Sequence, residues 1–254
     1  MLQNLTEITV STPAIAIEGL SFSYADKPEV LRDIQLSVEP GDRLGVLGYN
    51  GCGKTTLFLL ICGVLTPSQG SISLLGKAVI PNQFCSDVGL VFQNPDDQLF
   101  SATVWEDISF APENMGLFPN EVELRVRAAL QLTGTEALQH RAPHHLSGGE
   151  KRMVAIAGIL AMHPQIVIYD EPSANLDMRA RRRLIHFLQE SQQTFLLASH
   201  DLEFALEVCN RVIILNNGQI VADGRPETLM ADVALMEASG LEVPHSLTPP
   251  HHFG

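Results

Sequence analysis

The sequence has no apolar run long enough to cross a membrane. Its most apolar segment, residues 57–65, provides only about half of the roughly 20 residues that a transmembrane helix requires. Residues 1–7 also lack the basic start and the apolar stretch of a secretory signal peptide. We therefore expect a chain without a membrane anchor, which reaches any membrane only through other proteins.

Positive charge and paired cysteines are also scarce. The 254 residues include 16 Lys and Arg against 29 Asp and Glu, which gives a net charge of −13. Because nucleic-acid binding depends on clustered Lys and Arg, this balance argues against a general nucleic-acid binder. The four cysteines lack paired spacing, so neither a disulfide framework nor a zinc site is indicated. They are Cys52, Cys62, Cys85 and Cys209.

What the chain does contain is an alternation of strand and helix patterns, which predicts an α/β fold with a β-rich start. Its 45% hydrophobic content is typical of a globular protein, and its length allows one large domain with an inserted subdomain. Residues 95–161 have helical periodicity, and Asn216-Asn217-Gly218 predicts a hairpin. The predicted strands lie near residues 15–22, 34–38, 43–47, 71–75, 166–169 and 195–198, and a last helix near 231–240.

A glycine-rich loop between a predicted strand and a predicted helix has the complete GxxxxGK[ST] pattern of a phosphate-binding loop. Glycines let backbone N–H groups curl around phosphates, and the helix N-terminus favours negative charge. Lys54 is placed to reach the β- and γ-phosphates, and the Thr55 hydroxyl to bind Mg²⁺. A glycine-rich turn that binds nothing is the alternative. The loop consists of Gly48, Tyr49, Asn50, Gly51, Cys52, Gly53, Lys54 and Thr55, with Thr56 next.

The thiol of Cys52 allows two interpretations. It is a small side chain that fits the loop, or it is a thiol near the phosphates whose alkylation blocks nucleotide. We favour the first interpretation as the reason that a cysteine occupies this position. We nevertheless predict that maleimides inhibit the protein and that bound nucleotide protects it from them.

Two adjacent carboxylates, Asp170 and Glu171, end a predicted buried strand. Such a pair is costly without a metal or a positive partner. Asp170 suits a Mg²⁺ ligand, and Glu171 suits the base that orients and polarises an attacking water. The alternative is a solvated acidic pair at a strand end.

The run Leu146-Ser147-Gly148-Gly149-Glu150 also allows two interpretations. Ser147 and Glu150 have the spacing of a capping box, which satisfies free N–H groups of their own helix. Gly148 and Gly149 open the backbone for close approach of a phosphate. A cap that forms at rest and gives way to ATP reconciles the two.

Together and in this order, these motifs resemble the ATP-binding cassette (ABC) family over most of the chain. The resemblance implies a P-loop ATPase core with a parallel sheet, an N-terminal antiparallel β subdomain and a helical subdomain at about residues 95–161. It implies one domain over residues 1–243. The composition of residues 244–254, with Pro249, Pro250, His251 and His252, predicts a disordered tail.

The resemblance also assigns roles by position. Tyr24 matches the aromatic residue that stacks on adenine, Gln93 the glutamine that links Mg²⁺ and attacking water to the membrane subunits, and His200 the histidine that contacts the γ-phosphate. Asp177 lies in a segment that communicates across a dimer. Ser147, Gly148 and Gly149 are implied to contact the ATP held by a second ATPase subunit, so that two chains lie head to tail around two MgATP.

Two further runs, residues 93–100 and 150–158, look like the ATPases of energy-coupling factor importers, which take up cobalt, nickel or vitamins. The resemblance implies a homo- or heterodimer of ATPases at the cytoplasmic face of the membrane, with transmembrane coupling and substrate-binding subunits. The short C-terminus favours the metal-ion branch. The alternatives are a vitamin importer, another ABC transporter, a soluble ABC ATPase acting on DNA or ribosomes, and a regulatory binder that does not hydrolyse ATP. Lys54 and Ser147 are 93 positions apart, and the segment between them contains no sustained heptads, which disfavours the DNA-repair type.

Overall fold

The computed structural model describes residues 12–27 and 29–248, which form two β-sheets and a set of helices. The smaller sheet is antiparallel, with strand order β2-β1-β4-β5, and the larger has the order β10-β9-β3-β8-β7-β6. In chain order the strands are β1 (Ile15–Phe22), β2 (Leu31–Val38), β3 (Arg43–Leu47), β4 (Gln69–Leu74), β5 (Lys77–Ala78), β6 (Val88–Val91), β7 (Ile166–Asp170), β8 (Thr194–Ala198), β9 (Arg211–Asn216) and β10 (Gln219–Gly224).

The larger sheet is parallel from β9 to β6, and β10 adds an antiparallel edge through the predicted hairpin. Its strands are apolar on both faces because each face covers a separate hydrophobic core. Ile166 and Ile168 point into the core beneath the smaller sheet, whereas Val167 and Tyr169 point into the core beneath the helices. The predicted α/β class is confirmed.

Eight α-helices complete the described chain. They are α1 (Lys54–Ile61), α2 (Val104–Asn114), α3 (Pro119–Thr133), α4 (Gly148–Leu160), α5 (Met178–Glu190), α6 (Leu202–Val208), α7 (Pro226–Leu229) and α8 (Val233–Ala238). Helices α2, α3 and α4 fall within the segment predicted to be helical, and α3 buries Val122, Val126, Ala129 and Leu130 on one face as its periodicity predicts. No helix within residues 12–27 and 29–248 is both long and apolar enough to span a bilayer.

The last helix is shorter than the predicted 231–240. Asp232 caps its first turn, because the Asp232 carboxylate accepts a hydrogen bond from the backbone N–H of Leu235 at 3.0 Å. Gly240, with φ of 67°, turns the chain away two residues beyond its end. The prediction placed both boundaries too far out.

Structure also continues past residue 243, where a disordered tail was expected. His245–Leu247 form a 3₁₀ turn, and Ser246 donates from its N–H and its hydroxyl to the Glu203 carboxylate at 3.0 and 2.6 Å. Two donors on one carboxylate hold this turn against α6. The expectations for residues 1–7 and for residues 249–254 lie outside the described residues.

Candidate functional site

The phosphate-binding loop lies between the end of β3 and the start of α1, as its pattern predicts. Gly48 has φ of 154°, and a Cβ there would collide with the carbonyl oxygen of Leu215. The Lys54 Nζ donates to the carbonyl oxygens of Gly48 at 2.8 Å and Tyr49 at 3.2 Å, so it spans the loop. The backbone of the loop therefore curves around the Lys54 side chain.

Asp170 ends β7 beside this loop. Its Oδ2 accepts a hydrogen bond from the Thr55 hydroxyl at 2.7 Å. Burial raises the pKa of the Asp170 carboxyl, while the Thr55 bond and the nearby Lys54 work against that rise. A buried carboxylate and a hydroxyl are oxygen donors of the kind that Mg²⁺ prefers, and Gln93 adds an amide oxygen to the same cleft. The donor set fits Mg²⁺.

Glu171 faces the cleft from an uncommon backbone conformation. Its φ is 47°, and its N–H donates to the Ala198 carbonyl oxygen at 3.0 Å. Its Oε2 lies 2.7 Å from His200 Nδ1 and also accepts from the His200 backbone N–H at 3.1 Å. The Glu171 side chain is 7% exposed and that of His200 62% exposed. A buried carboxylate is thus paired with an imidazole that faces solvent.

The open side of the cleft is formed by the turn after β1. Tyr24 packs edge-on against Phe22, with ring centroids 4.8 Å apart, and its hydroxyl lies 3.3 Å from the Thr56 hydroxyl. Lys27, which the sequence did not single out, donates to the Gly51 carbonyl oxygen at 3.5 Å. The cleft encloses about 480 Å³ and is lined by Tyr24, Lys27, Val30, Asn50, Gly51, Gly53, Lys54, Thr55, Thr56, Gln93, Asp170, Glu171 and His200.

Two loop residues point away from this cleft. The Tyr49 hydroxyl donates to the Asn217 side-chain oxygen at 2.9 Å. Cys52 is 2% exposed, and burial raises the pKa of its thiol, although Lys54 opposes that rise. Because a reactive thiol must be accessible and readily ionised, both features argue against the maleimide inhibition that the sequence predicts. Cys52 packs beneath the loop.

Residues Leu146–Glu150, which we call the LSGGE run, lie apart from this cleft. Ser147 begins α4 with the predicted capping box: its hydroxyl oxygen accepts from the Glu150 N–H at 3.3 Å, and its N–H donates to the Glu150 carboxylate at 2.8 Å. Asp177 caps α5 by accepting from the N–H groups of Arg179 and Ala180 at 2.9 and 2.8 Å.

Packing brings the starts of α4 and α5 together. A Cβ at Gly149 would lie 2.6 Å from the Ala180 Cβ, and one at Gly148 would lie 3.9 Å from the Asn175 carbonyl oxygen. None of Ser147, Gly148, Gly149 or Asp177 lines the nucleotide cleft of this chain. The predicted site residues therefore fall into two separate groups.

Sequence reasoning missed Arg152, which lies between these two groups. It is 2% exposed, and its guanidinium donates to the carbonyl oxygens of Phe92 and Gln93 at 2.6 Å each. The available signal was an arginine directly before the apolar run Met153–Ala157, on a face that a helix start buries.

The profile of one family, described as ABC transporter, matches residues 31–174. A Synechocystis sp. protein named provisionally as an ABC transporter ATP-binding protein is 59% identical over 92% of this chain and 83% of its own length. The energy-coupling factor transporter ATP-binding protein EcfA of Methanothermobacter thermautotrophicus is 44% identical over 91% of this chain and 77% of its own.

A solved structure extends the likeness to the fold. It is cbiO1 from Clostridium perfringens, described as part of the ABC transporter complex cbiONQ. It superposes with a TM-score of 0.78 at 34% identity, over 93% of this chain and 98% of that one.

Proposed function

The chain belongs to the ABC transporter family and is an ATP-hydrolysing transporter subunit, and from this premise we propose that it energises an importer of the energy-coupling factor type. The identity to EcfA and the likeness to cbiO1 support this assignment within the family. The runs at residues 93–100 and 150–158 support it from the sequence.

In this proposal the cleft binds ATP with Mg²⁺. Tyr24 stacks on adenine, and Lys54 exchanges the loop carbonyls for oxygens of the β- and γ-phosphates. Thr55, Asp170 and Gln93 hold Mg²⁺, which neutralises charge on the phosphate oxygens when it is bound. The 2.7 Å bond between Thr55 and Asp170 supports this role, because it already places two oxygen ligands side by side.

Glu171 orients and polarises the attacking water, and His200 senses the γ-phosphate. The 2.7 Å contact between them supports a resting arrangement in which the His200 imidazole is hydrogen-bonded to the Glu171 carboxylate. When His200 turns to a phosphate oxygen, the Glu171 carboxylate becomes free to accept a proton from water. Glu171 lines the cleft from a positive φ, a costly conformation for a residue with a side chain that tends to occur at functional sites.

Hydrolysis requires two chains, which lie head to tail. Ser147, Gly148 and Gly149 meet the ATP of the partner, and Asp177 lies at the same face. The single observation that carries this proposal is the separation of the two groups, since one chain does not line its own cleft with the LSGGE residues. Until the partner's nucleotide binds, the capping box provides hydrogen-bond acceptors for the free N–H groups at the start of α4.

The membrane subunits dock on an exposed aromatic surface next to Gln93. Phe92, Phe100 and Phe110 are 42%, 67% and 48% exposed, and the last two rings pack edge-on with centroids 4.9 Å apart. Exposed apolar clusters of this kind mark interaction sites. The chain is thereby held at the cytoplasmic face of the membrane as a peripheral subunit.

The proposed cargo is a transition-metal ion, cobalt or nickel, and its selection belongs to the membrane subunits. The runs at residues 93–100 and 150–158 support a type of importer whose cargoes include such ions. Purification of the tagged chain from detergent-solubilised membranes tests the assignment, and multispanning partners are expected with it. Returned to sealed vesicles, the complex should take up radioactive Co²⁺ or Ni²⁺ only with ATP. Vitamin uptake by the same complex rejects the metal cargo, and recovery with ribosomes or DNA instead rejects import.

A further inference from the structure

Two of the four free cysteines lie close together in the fold, although 23 positions separate them in the sequence. Cys62 directly follows α1, and Cys85 lies in the segment that enters β6. Both side chains are half-buried and pack against the core beneath the smaller sheet. The two thiols also interact electrostatically, which requires them to be near each other. They therefore form a pair that their spacing in the sequence does not show.

The backbone segments that carry the two cysteines are in direct contact. The Asn82 N–H donates to the Gly63 carbonyl oxygen at 2.7 Å. A Cβ at Gly63 would lie 3.9 Å from the Gln83 carbonyl oxygen. Gly63 directly follows Cys62, and Gln83 lies two residues before Cys85. Because a disulfide requires two Cα atoms within about 7 Å, cysteines on touching segments are suited to form one.

The two thiols differ in their access to solvent and in their acidity. Cys85 lines a surface cavity of about 140 Å³, together with the exposed side chains of Ile80 and Phe84. Cys62 does not line that cavity. Burial raises the pKa of the Cys62 thiol to about 12, and the nearby Cys85 adds to the rise. Since the thiolate is the nucleophile in disulfide exchange, Cys85 is the thiol that a small oxidant meets first.

We propose that Cys62 and Cys85 form a redox-active dithiol site, which a low-molecular-weight disulfide converts into a disulfide between them. The Cys85 thiolate attacks one sulfur of the small disulfide and expels a thiolate, so that a mixed disulfide remains on Cys85. The Cys62 thiol then loses its proton to water, attacks the Cys85 sulfur and expels the second thiolate. Two protein thiols are oxidised to one disulfide, and one small disulfide is reduced to two thiols.

The disulfide joins two elements that carry cleft residues at their other ends. Lys54 and Thr55 begin α1, and Gln93 follows β6. Cys62 lies about 12 Å from the start of α1, at the usual rise of a helix of eight residues. Cys85 precedes β6, at the end of the strand that lies away from Gln93. Oxidation therefore fixes the spacing between α1 and β6 without occupying the nucleotide cleft.

Oxidised glutathione, added to the native full-length chain, tests the site. After the reaction is quenched in acid, the free thiols are counted in the denatured chain. We expect the count to fall from four to two and to return to four with dithiothreitol. Mass spectrometry should find a peptide that joins Cys62 to Cys85. Because the disulfide closes a loop of 23 positions, it should raise the melting temperature by about 5–10 °C.

Three variants show whether the two cysteines act together. Cys62→Ser should retain one glutathione on Cys85, because the thiol that displaces it is absent. Cys85→Ser should keep its three remaining thiols free. Cys209→Ser is the matched control, since Cys209 is also buried with a pKa raised to about 12, but its charged neighbour is Arg43 rather than a cysteine. This control should lose two thiols, as wild type does.

Four results would overturn the dithiol site. The native wild-type chain keeps four thiols under conditions that oxidise the urea-unfolded chain, or glutathione stays on Cys85 of wild type, or a different pair of cysteines is joined. The fourth is an oxidised chain that melts no higher than the reduced one, since such a disulfide does not fit the native fold. If Cys62→Ser does not fold, Cys62→Ala replaces it. These readouts do not use ATP hydrolysis, so their outcome is independent of the proposed function.

Discussion

Replacing Ser147 with alanine separates its role as a helix cap from its role in hydrolysis. In the resting chain the Ser147 hydroxyl accepts from the Glu150 N–H at 3.3 Å and donates to the Glu150 carboxylate at 2.8 Å. The Ser147 N–H, which alanine keeps, still donates to that carboxylate at 2.8 Å. Because half of the box survives, Ser147→Ala should lower the free energy of unfolding by only about 1 kcal/mol.

The expected effect on turnover is larger. A hydroxyl that donates to a charged phosphate contributes about 1.5–3 kcal/mol. Because about 1.4 kcal/mol corresponds to tenfold in rate, Ser147→Ala should lower kcat by about 10- to 150-fold. Steady-state ATPase assays at saturating MgATP measure this loss, and urea denaturation measures the stability.

A second capped helix supplies the control. At the start of α2 the Thr103 hydroxyl accepts from the Glu106 N–H at 3.3 Å, and the Glu106 carboxylate accepts from the Ala102 N–H at 3.1 Å. Thr103→Ala should therefore match Ser147→Ala in stability and leave kcat within about twofold of wild type. Equal turnover in the two variants would refute a phosphate contact at Ser147.

Three other predictions concern the loop and the cap. Gly48→Ala should abolish ATP binding and lower melting temperature, because its Cβ collides with the Leu215 carbonyl oxygen; calorimetric binding at wild-type affinity contradicts this. Cys52 should react with maleimide far more slowly in the folded chain than in urea, since burial raises its pKa; rapid labelling of Cys52 in the native chain contradicts this. Hydrogen bonds from Ser147 lower the pKa of the Glu150 carboxyl in the folded chain. The ionised carboxylate therefore stabilises the fold above the ordinary pKa of a glutamate, and this stabilisation is lost as the pH falls through the lowered pKa. Urea titrations between pH 7 and pH 3 should show a smaller pH dependence for Glu150→Gln than for wild type, and identical slopes contradict it.

The elements that the sequence predicted are those determined by local pattern. The phosphate-binding loop, the hairpin at residues 216–218 and the capping box at Ser147 each depend on residues close together in the chain. The parallel strands were predictable because both of their faces are buried, which makes them continuous apolar runs. Both boundaries of α8 were less predictable, because Asp232 at the start and Gly240 after the end override the apolar pattern.

The contacts between distant residues were not predictable in this way. Glu171 and His200 meet because β7 and β8 are neighbours in the sheet, and no local pattern specifies that pairing. Arg152 reaches the Gln93 carbonyl across 59 positions, so its role appears only once α4 is packed against the end of β6. The direction of the Tyr49 side chain likewise depends on Asn217, in the hairpin of another part of the sheet.

The assembly of two chains around two ATP molecules is tested most directly with Glu171→Gln. Without the carboxylate, bound MgATP should persist. Light scattering after gel filtration should find a dimer, and this dimer should hold two ATP and hydrolyse none. Adding Ser147→Ala to that variant should weaken the dimer, because the hydroxyl no longer meets the partner's phosphate. A Glu171→Gln chain that stays monomeric with ATP bound, or one that hydrolyses ATP at the wild-type rate, would contradict the shared site.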